Sequence, residues 1–463
     1  MKDRFPAVEA YVREHGERFL AELRALLSIP SISTLPAHRA DMDRAREFLA
    51  ARLRDAGCEH IEALGAPEFP NGIPVLYADW LHAPGAPTVL FYGHYDVQPP
   101  DPLNEWLTPP FEPTVRDGNL YARGAADDKG QMYTHLKAVE ALRALLGKLP
   151  VNVRFLIEGE EEVGGETVEH VVRQHRAKLS CDCVVVSDTA MFAPGLPSLD
   201  VGLRGMVYAE VEMRGAERDL HSGLYGGIAP NPFEALARVI TGLKGADGKI
   251  LIPGFYDRVV PPSAEEQAAW RRLPFDEESY RKDEVRAPAL TGESGYSVFE
   301  RTWSRPTLDI HGMPGGFTGP GSKTVIPARA SAKISMRLVP NQEPAEIFAN
   351  FEAAVRRLTP AGFASTTRLW NSADPIVVDT GNRFIRAGVD ALRSVFEGEP
   401  VFVRSGGSVP VVALFTSVLQ APVVMMGFGF PDDGLHSPNE KFALANYYGG
   451  IRTVAEFLVR LAP

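Results

Sequence analysis

Two long stretches near the start of the chain carry apolar residues at helical spacing. They cover residues 7–28 and 40–57, and the second ends near Gly57. The apolar positions of the first stretch are Val8, Tyr11, Phe19, Leu20, Leu23, Leu26 and Leu27. A repeat of three to four residues is typical of one face of an amphipathic helix, so we predict a helix for each stretch.

Short apolar runs follow, each with the length of a buried strand. The runs are Val75–Ala78, Pro87–Tyr92, Val151–Ile157 and Cys183–Ser187. Helix-like stretches at residues 131–146 and 166–179 separate them. Strands that alternate with helices predict an α/β domain whose mostly parallel sheet is flanked by helices.

The pattern changes near residue 205. Val207–Met213 and Val325–Leu338 alternate apolar and polar positions, as half-buried antiparallel strands do. Residues 255–300 are polar and predict helices and loops, whereas residues 344–357 predict an amphipathic helix. This block is typical of an α+β domain with a sheet of its own.

The first pattern returns beyond residue 374. We predict a helix at residues 383–396, a helix or buried segment at Val409–Ala421, a strand at Val423–Met426 and a closing helix at residues 441–461. The simplest architecture is one α/β domain interrupted by an inserted α+β domain. We expect the α/β domain to comprise residues 1–204 and 375–463, and the inserted domain residues 205–374.

Composition narrows the class of partner. The chain has 463 residues, enough for two or three domains, and its 45% apolar and 23% charged residues are normal for a globular protein. Its 48 basic and 59 acidic residues give a net charge of −11. This balance argues against nucleic acid or an anionic membrane as the main partner.

Cysteine content and the start of the chain bear on location. Cys58, Cys181 and Cys183 are too few, and odd in number, for a disulfide framework, which favours a reducing compartment. Met1–Pro6 and the charged stretch after it lack the apolar segment of a secretion signal, and no run reaches the ~20 apolar residues of a membrane helix. We therefore expect a cytoplasmic protein without a membrane partner.

A histidine follows the second apolar run. Val89–Tyr92 leads through Gly93 to His94 and Asp96, and ligands of α/β folds gather at the carboxyl ends of strands. Residues two apart on an extended chain face the same way, so Asp96 can accept the second ring proton of His94 and fix its tautomer. Taken alone, a histidine at a strand end is more often a structural hydrogen-bonding residue than a metal ligand.

Acidic residues occupy similar places. Asp127 precedes a predicted helix, Glu161 and Glu162 follow an apolar strand, and Asp188 ends another. Each has an ordinary interpretation, because an aspartate often caps a helix and a run of charges is usually solvated. However, carboxylates clustered at the end of a buried strand repel one another unless a cation lies nearby.

His436 lies among turn residues near the end of the chain, where a histidine is ordinarily a surface-loop residue. Together, however, His94, Asp127, Glu162, Asp188 and His436 offer two imidazoles and three carboxylates. This set suits two zinc or manganese ions that share one carboxylate and one water. It lacks the thiolates expected of a structural zinc site.

In this order, the motifs resemble the carnosinase and cytosolic non-specific dipeptidase group of co-catalytic metallopeptidases. Glutamate carboxypeptidase, aminoacylase and succinyl-diaminopimelate desuccinylase are more distant relatives of that group. The resemblance spans nearly the whole chain. The segments that carry it are Gly93–Pro99, Ala126–Gly130, Asp219–Gly223, Lys323–Pro327 and His436–Glu440.

The resemblance implies how the metal ligands divide. His94 and Asp188 would hold one divalent ion, Glu162 and His436 the other, and Asp127 would bridge both. Zinc would be the usual metal, with manganese and cobalt as alternatives for the same donors.

It also implies how a peptide would be hydrolysed. Glu161 would be the general base on a metal-bridging water, and Asp96 would orient His94. In the family, a cis peptide bond typically follows the bridging aspartate, here Asp127–Asp128.

Further roles fall mainly in the inserted domain. His221 would stabilise the oxyanion across a dimer interface, so residues 205–374 would be a lid and dimerisation domain of a homodimer. Arg337 matches the arginine that binds the carboxylate of a small peptide substrate, because a guanidinium suits a carboxylate bidentately. Thr324 and Ser408 match residues that help to hold the same carboxylate.

One position departs from the dipeptidase pattern. That group usually has an acid just before its Gly-Gly-Ser, whereas this chain has Ser405. Two hypotheses therefore remain open. The protein is either a dipeptidase that acts on substrates with a free C-terminal carboxylate, or an N-acyl amino acid deacylase or carboxypeptidase with the same metal site. A third hypothesis, an inactive dimeric scaffold, predicts a broken ligand set, but all five ligand positions and Glu161 are present.

Overall fold

The computed structural model describes residues 5–407 and 410–463. The chain forms two compact units. The first unit consists of residues 1–201, 378–403 and 414–463, and the second unit of residues 202–377 and 404–413.

The described residues form both α-helices and β-strands. The α-helices are α1 (Phe5–Leu27), α2 (Arg39–Asp55), α3 (Lys129–Leu146), α4 (Thr167–Gln174), α5 (Ser222–Tyr225), α6 (Pro232–Leu243), α7 (Ala264–Trp270), α8 (Glu277–Ser279), α9 (Pro344–Leu358), α10 (Arg383–Val395), α11 (Pro410–Leu414) and α12 (Leu444–Arg460). The strands are β1 (Glu59–Leu64), β2 (Val75–Trp80), β3 (Thr88–His94), β4 (Thr114–Arg116), β5 (Asn119–Tyr121), β6 (Asn152–Glu158), β7 (Cys183–Val186), β8 (Ser198–Leu203), β9 (Gly205–Arg214), β10 (Leu220–His221), β11 (Thr307–Gly312), β12 (Val325–Ile326), β13 (Arg329–Leu338), β14 (Ala364–Ala373), β15 (Ile376–Val377), β16 (Val401–Ser405), β17 (Val423–Met425) and β18 (Lys441–Ala443).

The largest sheet is mixed. Its order is β1-β2-β6-β3-β7-β17-β8-β15, and β16 also pairs with β8. The four central strands β6, β3, β7 and β17 run parallel to one another, whereas β1, β2, β8 and β15 pair antiparallel. The predicted α/β class is confirmed, but the parallel arrangement is confined to the centre. At one edge, no helix crosses over between β1 and β2, so the chain reverses direction there.

The central strands are buried along their length, which explains their continuous apolar runs. Fully buried residues of this core include Phe19, Phe91, Phe155, Val185 and Ile451. Helix α3 packs against α1 and α12, so the sequence that follows Asp127 lies within the core.

Most predicted elements exist with shifted ends. Helix α4 ends at Gln174, before the predicted residue 179, and the closing helix begins only at Leu444. Lys441–Ala443 is instead strand β18, whose backbone hydrogen bonds to β5 override the helical pattern. Val409 lies outside the described residues, and the rest of the predicted segment Val409–Ala421 begins with the short helix α11, followed by a π-helical turn, Phe415–Leu419.

The second unit contains a four-stranded antiparallel sheet of order β11-β13-β9-β14. Burial alternates along β9, as its sequence predicts. The predicted strand at Val325–Leu338 divides into β12 and β13 around Pro327, because proline cannot donate a ladder hydrogen bond. Helices α6 and α9 pack on this sheet.

Among the described residues, no helix is both long and apolar enough to cross a bilayer. Cys58, Cys181 and Cys183 are all free thiols, and two of them are buried.

Candidate metal centre

The parallel central strands of the first unit have their carboxyl ends at the same edge of the sheet. Strand β3 ends at His94, β6 leads into Glu161 and Glu162, and β7 leads into Asp188. Strand β17 is followed by the segment that contains His436. Parallel neighbours therefore bring residues that are distant in sequence to one place.

One cluster consists of His94, Asp127 and Asp188, whose potential ligand atoms all lie within 4.8 Å of one another. Nε2 of His94 lies 3.1 Å from Oδ1 of Asp127 and 3.8 Å from Oδ2 of Asp188. The His94 side chain is fully buried, so its nitrogen has little competition from bulk water.

A second cluster consists of Asp127, Glu162 and His436, with the same spread of ligand atoms. Nε2 of His436 lies 2.9 Å from Oδ2 of Asp127 and 3.3 Å from Oε2 of Glu162. Asp127 thus belongs to both clusters and turns a different oxygen to each imidazole. Each cluster could hold a cation, and the Asp127 carboxylate could contribute to both.

The peptide bond between Asp127 and Asp128 is cis, as the resemblance implies. Oδ2 of Asp128 accepts the backbone N–H of His94 at 3.2 Å. Asp128 therefore ties the end of β3 to the start of α3.

Asp96 contacts one residue of each cluster. Nδ1 of His94 lies 3.1 Å from the backbone oxygen of Asp96 and 3.4 Å from its Oδ1. The other carboxylate oxygen of Asp96 accepts the Ser33 hydroxyl at 2.7 Å and the backbone N–H of Glu162 at 3.1 Å. Nε2 of Gln98 donates to Oε2 of Glu162 at 2.8 Å.

The electrostatics of the pocket fit a cationic occupant. Burial raises the pKa of Asp188 to about 8, and the nearby charge of Asp127 adds to this effect. Hydrogen bonds with Asp127 and Glu162 raise the pKa of His436 to about 10. A cation bound among these carboxylates would offset their mutual repulsion. The oxygen and nitrogen donors suit zinc, manganese or cobalt.

Glu161 begins a short 3₁₀ turn, Glu161–Val163, immediately before Glu162. Burial raises its pKa, while the charge of His94 opposes the shift and that of Glu162 reinforces it. A carboxylate with a raised pKa beside a metal ligand is suited to proton transfer.

Other predicted site residues lie in the second unit. His221 is in β10 and pairs with Val325 of β12, and the backbone oxygen of Thr324 accepts the N–H of Ser222 at 3.0 Å. His221 and Thr324 are therefore neighbours. Arg337 lies in β13 opposite Met206, and Ser408 lies outside the described residues.

Several residues of the centre carry no distinct sequence signal. Gln98 and Glu440 fall inside the motifs quoted above, but neither spacing nor residue type indicates their contacts. Ser33 lies outside those motifs. Within the second unit, Arg204 donates from Nε to the backbone oxygen of Gly406 at 3.0 Å, and burial, followed by the charge of Arg337, lowers its pKa to about 10.

Comparison with known proteins identifies the family of this chain. Residues 90–460 match the model of peptidase family M20/M25/M40. The chain is 33% identical to the Beta-Ala-His dipeptidase of Rattus norvegicus, over 98% of this chain and 94% of that protein. It is 32% identical to the Cys-Gly metallodipeptidase dug1 of Schizosaccharomyces pombe, over 96% of each chain.

A solved structure extends the similarity to the fold. The M20 family metallo-carboxypeptidase Sso-CP2 of Sulfolobus solfataricus superposes with a TM-score of 0.86 at 31% identity, covering 96% of this chain and 99% of that one. With matches of this extent in sequence and fold, the chain belongs to peptidase family M20/M25/M40.

Proposed function

We propose that this protein hydrolyses the amide bond of dipeptides or small peptides that carry a free C-terminal carboxylate. The observation that carries the proposal is the shared position of Asp127 between two clusters, each with an imidazole and a second carboxylate. The full-length similarity to a Beta-Ala-His dipeptidase and a Cys-Gly metallodipeptidase supports this substrate class.

His94 and Asp188 would hold one ion and Glu162 and His436 the other, and Asp127 would contribute to both sites. Two divalent cations bound there would polarise the scissile carbonyl and lower the pKa of a water between them. We propose zinc as the native metal, although manganese and cobalt accept the same donors.

Glu161 is the residue that transfers the proton. Its carboxylate takes a proton from the attacking water and delivers it to the leaving amine. Its raised pKa supports this role, because a base that titrates closer to neutrality is also a better acid in the second step. Asp96 keeps His94 in the tautomer that leaves Nε2 free, and its contacts at Nδ1 support that assignment.

His221 serves as an oxyanion donor. Its Nδ1 accepts the N–H of Gly223 at 3.0 Å, so the neutral ring carries its proton on Nε2. That leaves an N–H donor for the negative charge that develops on the substrate oxygen.

Arg337 binds the substrate carboxylate, with Thr324 and Ser408 as additional partners. The half-buried guanidinium has its pKa lowered by burial, although Asp309 opposes this. Partial burial strengthens an ion pair with an incoming carboxylate.

A second candidate function uses the same centre on N-acyl amino acids or as a carboxypeptidase. Ser405 favours it, because an acid that would attract a substrate amino group is missing. The Ser405 hydroxyl accepts the N–H of Gly407 at 3.1 Å, so it shapes the turn and supplies no charge. The similarity to a metallo-carboxypeptidase agrees with this alternative. An inactive scaffold, the third hypothesis, would show no turnover on either class.

We propose a homodimer built through a lid and dimerisation domain at residues 205–374, with residues 1–204 and 375–463 as the catalytic domain. Leu224 and Ile228 support an interface, because their side chains are 74% and 81% exposed just after His221. A cytoplasmic location agrees with the free cysteines.

The experiment is a substrate panel on the zinc-loaded protein. Dipeptides with free amino groups, such as Ala-Gly, are compared with N-acetyl amino acids and C-terminally amidated dipeptides. The proposal expects rapid cleavage of the free dipeptides and little cleavage of the amides. Cleavage of acylated substrates alone would establish the deacylase, and no cleavage of any substrate would establish the scaffold.

A further inference from the structure

The carboxylate of Glu440 is fully buried and saturated with hydrogen bonds from one loop. Oε2 accepts Nη1 of Arg123 at 2.8 Å and the backbone N–H of Gly124 at 2.9 Å. Oε1 accepts the backbone N–H of Ala126 at 2.9 Å and that of Asp127 at 3.1 Å. One side chain therefore holds the backbone that presents the shared carboxylate.

A second buried side chain holds the same loop from the other side. Nε2 of Gln131 donates to the backbone oxygen of Ala126 at 2.9 Å. Oε1 of Gln131 accepts the N–H of Phe428 at 2.6 Å and that of Gly429 at 3.1 Å. The residue before Asp127 is thus fixed at both its N–H and its C=O.

Both contacts join the same two segments. Glu440 lies on the segment 428–440, as do Phe428 and Gly429, which donate to Gln131. This segment also contains His436. The other segment, 122–127, contains Asp127. The connection continues in the backbone, because the N–H of Ala122 donates to the oxygen of Glu440 at 3.1 Å and β18 pairs with β5.

We propose that Glu440 and Gln131 are positioning residues that set the distance between Asp127 and His436 before any metal binds. This inference rests on the dinuclear centre of the proposed function. A carboxylate is needed at position 440, because its two oxygens can accept all of the converging N–H groups, whereas an amide would turn its own N–H₂ toward two of them. Metal affinity then depends on side chains that never touch the metal.

The test is competition for Zn²⁺ between the full-length protein and a chromophoric chelator. Glu440→Gln is expected to bind Zn²⁺ about 10–100-fold more weakly than the wild type, the range found for residues that orient metal ligands. Excess Zn²⁺ should restore its activity. Glu22→Gln is the matched control, since Glu22 is a part-buried carboxylate that pairs with Lys137 away from the centre. It should leave Zn²⁺ affinity unchanged.

Gln131→Leu provides a second variant that keeps the charge of Glu440, and it should also weaken binding. A third measurement needs no variant. Because the geometry is set before binding, amide hydrogens of residues 124–127 should exchange slowly in chelator-treated wild type. Wild-type affinity in a folded Glu440→Gln or Gln131→Leu protein, or fast exchange of residues 124–127 without metal, would overturn the inference. If the wild type itself binds no Zn²⁺, the proposed function fails instead.

Discussion

Nε2 of His436 lies 2.9 Å from Oδ2 of Asp127, while Oδ1 of the same carboxylate faces Nε2 of His94 at 3.1 Å. His436 occupies the left-handed region of backbone conformation, with φ of 60°, which few residues other than glycine adopt. Two imidazoles that are far apart in the sequence therefore contact one aspartate.

Glu161→Gln should retain both metal ions but lose turnover. The amide preserves the shape of the side chain yet cannot accept a proton, so kcat should fall by about 10²–10⁴-fold. Metal content and kcat on a dipeptide are measured together. Glu160→Gln is the matched control, since Glu160 accepts the N–H of Ile73 at 2.9 Å and has no assigned role in catalysis. Turnover of Glu161→Gln at the wild-type level would refute the mechanism.

Arg337→Gln should weaken use of substrates with a free carboxylate. Loss of a charge-assisted hydrogen bond of about 1.5–3 kcal/mol corresponds to a fall in kcat/KM of roughly 10–100-fold. Arg329→Gln is the control on the same strand, where the Arg329 side chain is 69% exposed. The assignment to the carboxylate fails if Arg337→Gln lowers kcat/KM equally for a dipeptide and its C-terminal amide.

Ser405→Glu should change recognition at the amino end of the substrate. The added carboxylate would attract a free ammonium group, so the preference for a dipeptide over its N-acetyl form should rise about tenfold, equivalent to about 1.4 kcal/mol. The ratio of the two kcat/KM values measures this, with Ser405→Gln as the uncharged control. An unchanged ratio for Ser405→Glu would remove position 405 from substrate recognition.

The buried carboxyl of Asp200 should make stability depend on pH. Burial raises its pKa to about 7 from an ordinary value of 3.8. Below about pH 4, both the folded and unfolded forms hold the proton. As pH rises toward 7, only the unfolded form loses it, so the free energy of unfolding falls by up to about 4 kcal/mol.

Asp200→Asn removes that titration and should flatten the profile over the same range. Urea unfolding of the chelator-treated proteins from pH 4.5 to 7.5 measures the difference. Parallel profiles for the wild type and Asp200→Asn would contradict a raised pKa at this position.

The strand pattern and the strand-end acids predicted much of the fold and centre. Val89–Tyr92 and Cys183–Ser187 were recognisable because strands buried on both faces lose the alternation of polar residues. Strand β14 was missed because most of its residues are exposed and polar, and its pairing with β9 is what makes it a strand. Propensity alone does not report such tertiary contacts.

The supporting contacts of the centre were harder to predict. Glu440 is 313 residues from Asp127 in the chain, so no local pattern links them. Gln131 lies on a predicted helix, where a polar residue is ordinarily solvated. The hydrogen bonds of Glu440, and those of Gln131 with Phe428 and Gly429, form only when the segments that contain Asp127 and His436 come together.

Metal stoichiometry shows directly whether Asp127 serves two ions. Chelator-treated protein is titrated with Zn²⁺ while bound metal and dipeptide hydrolysis are followed together. We expect two equivalents per chain for the wild type, with activity rising as they bind. We expect one tight equivalent for Asp188→Asn and none for Asp127→Asn, because only Asp127 serves both ions. Two tight equivalents retained by Asp127→Asn, or a fully loaded wild type without activity on dipeptides, would contradict a dinuclear dipeptidase centre that shares Asp127.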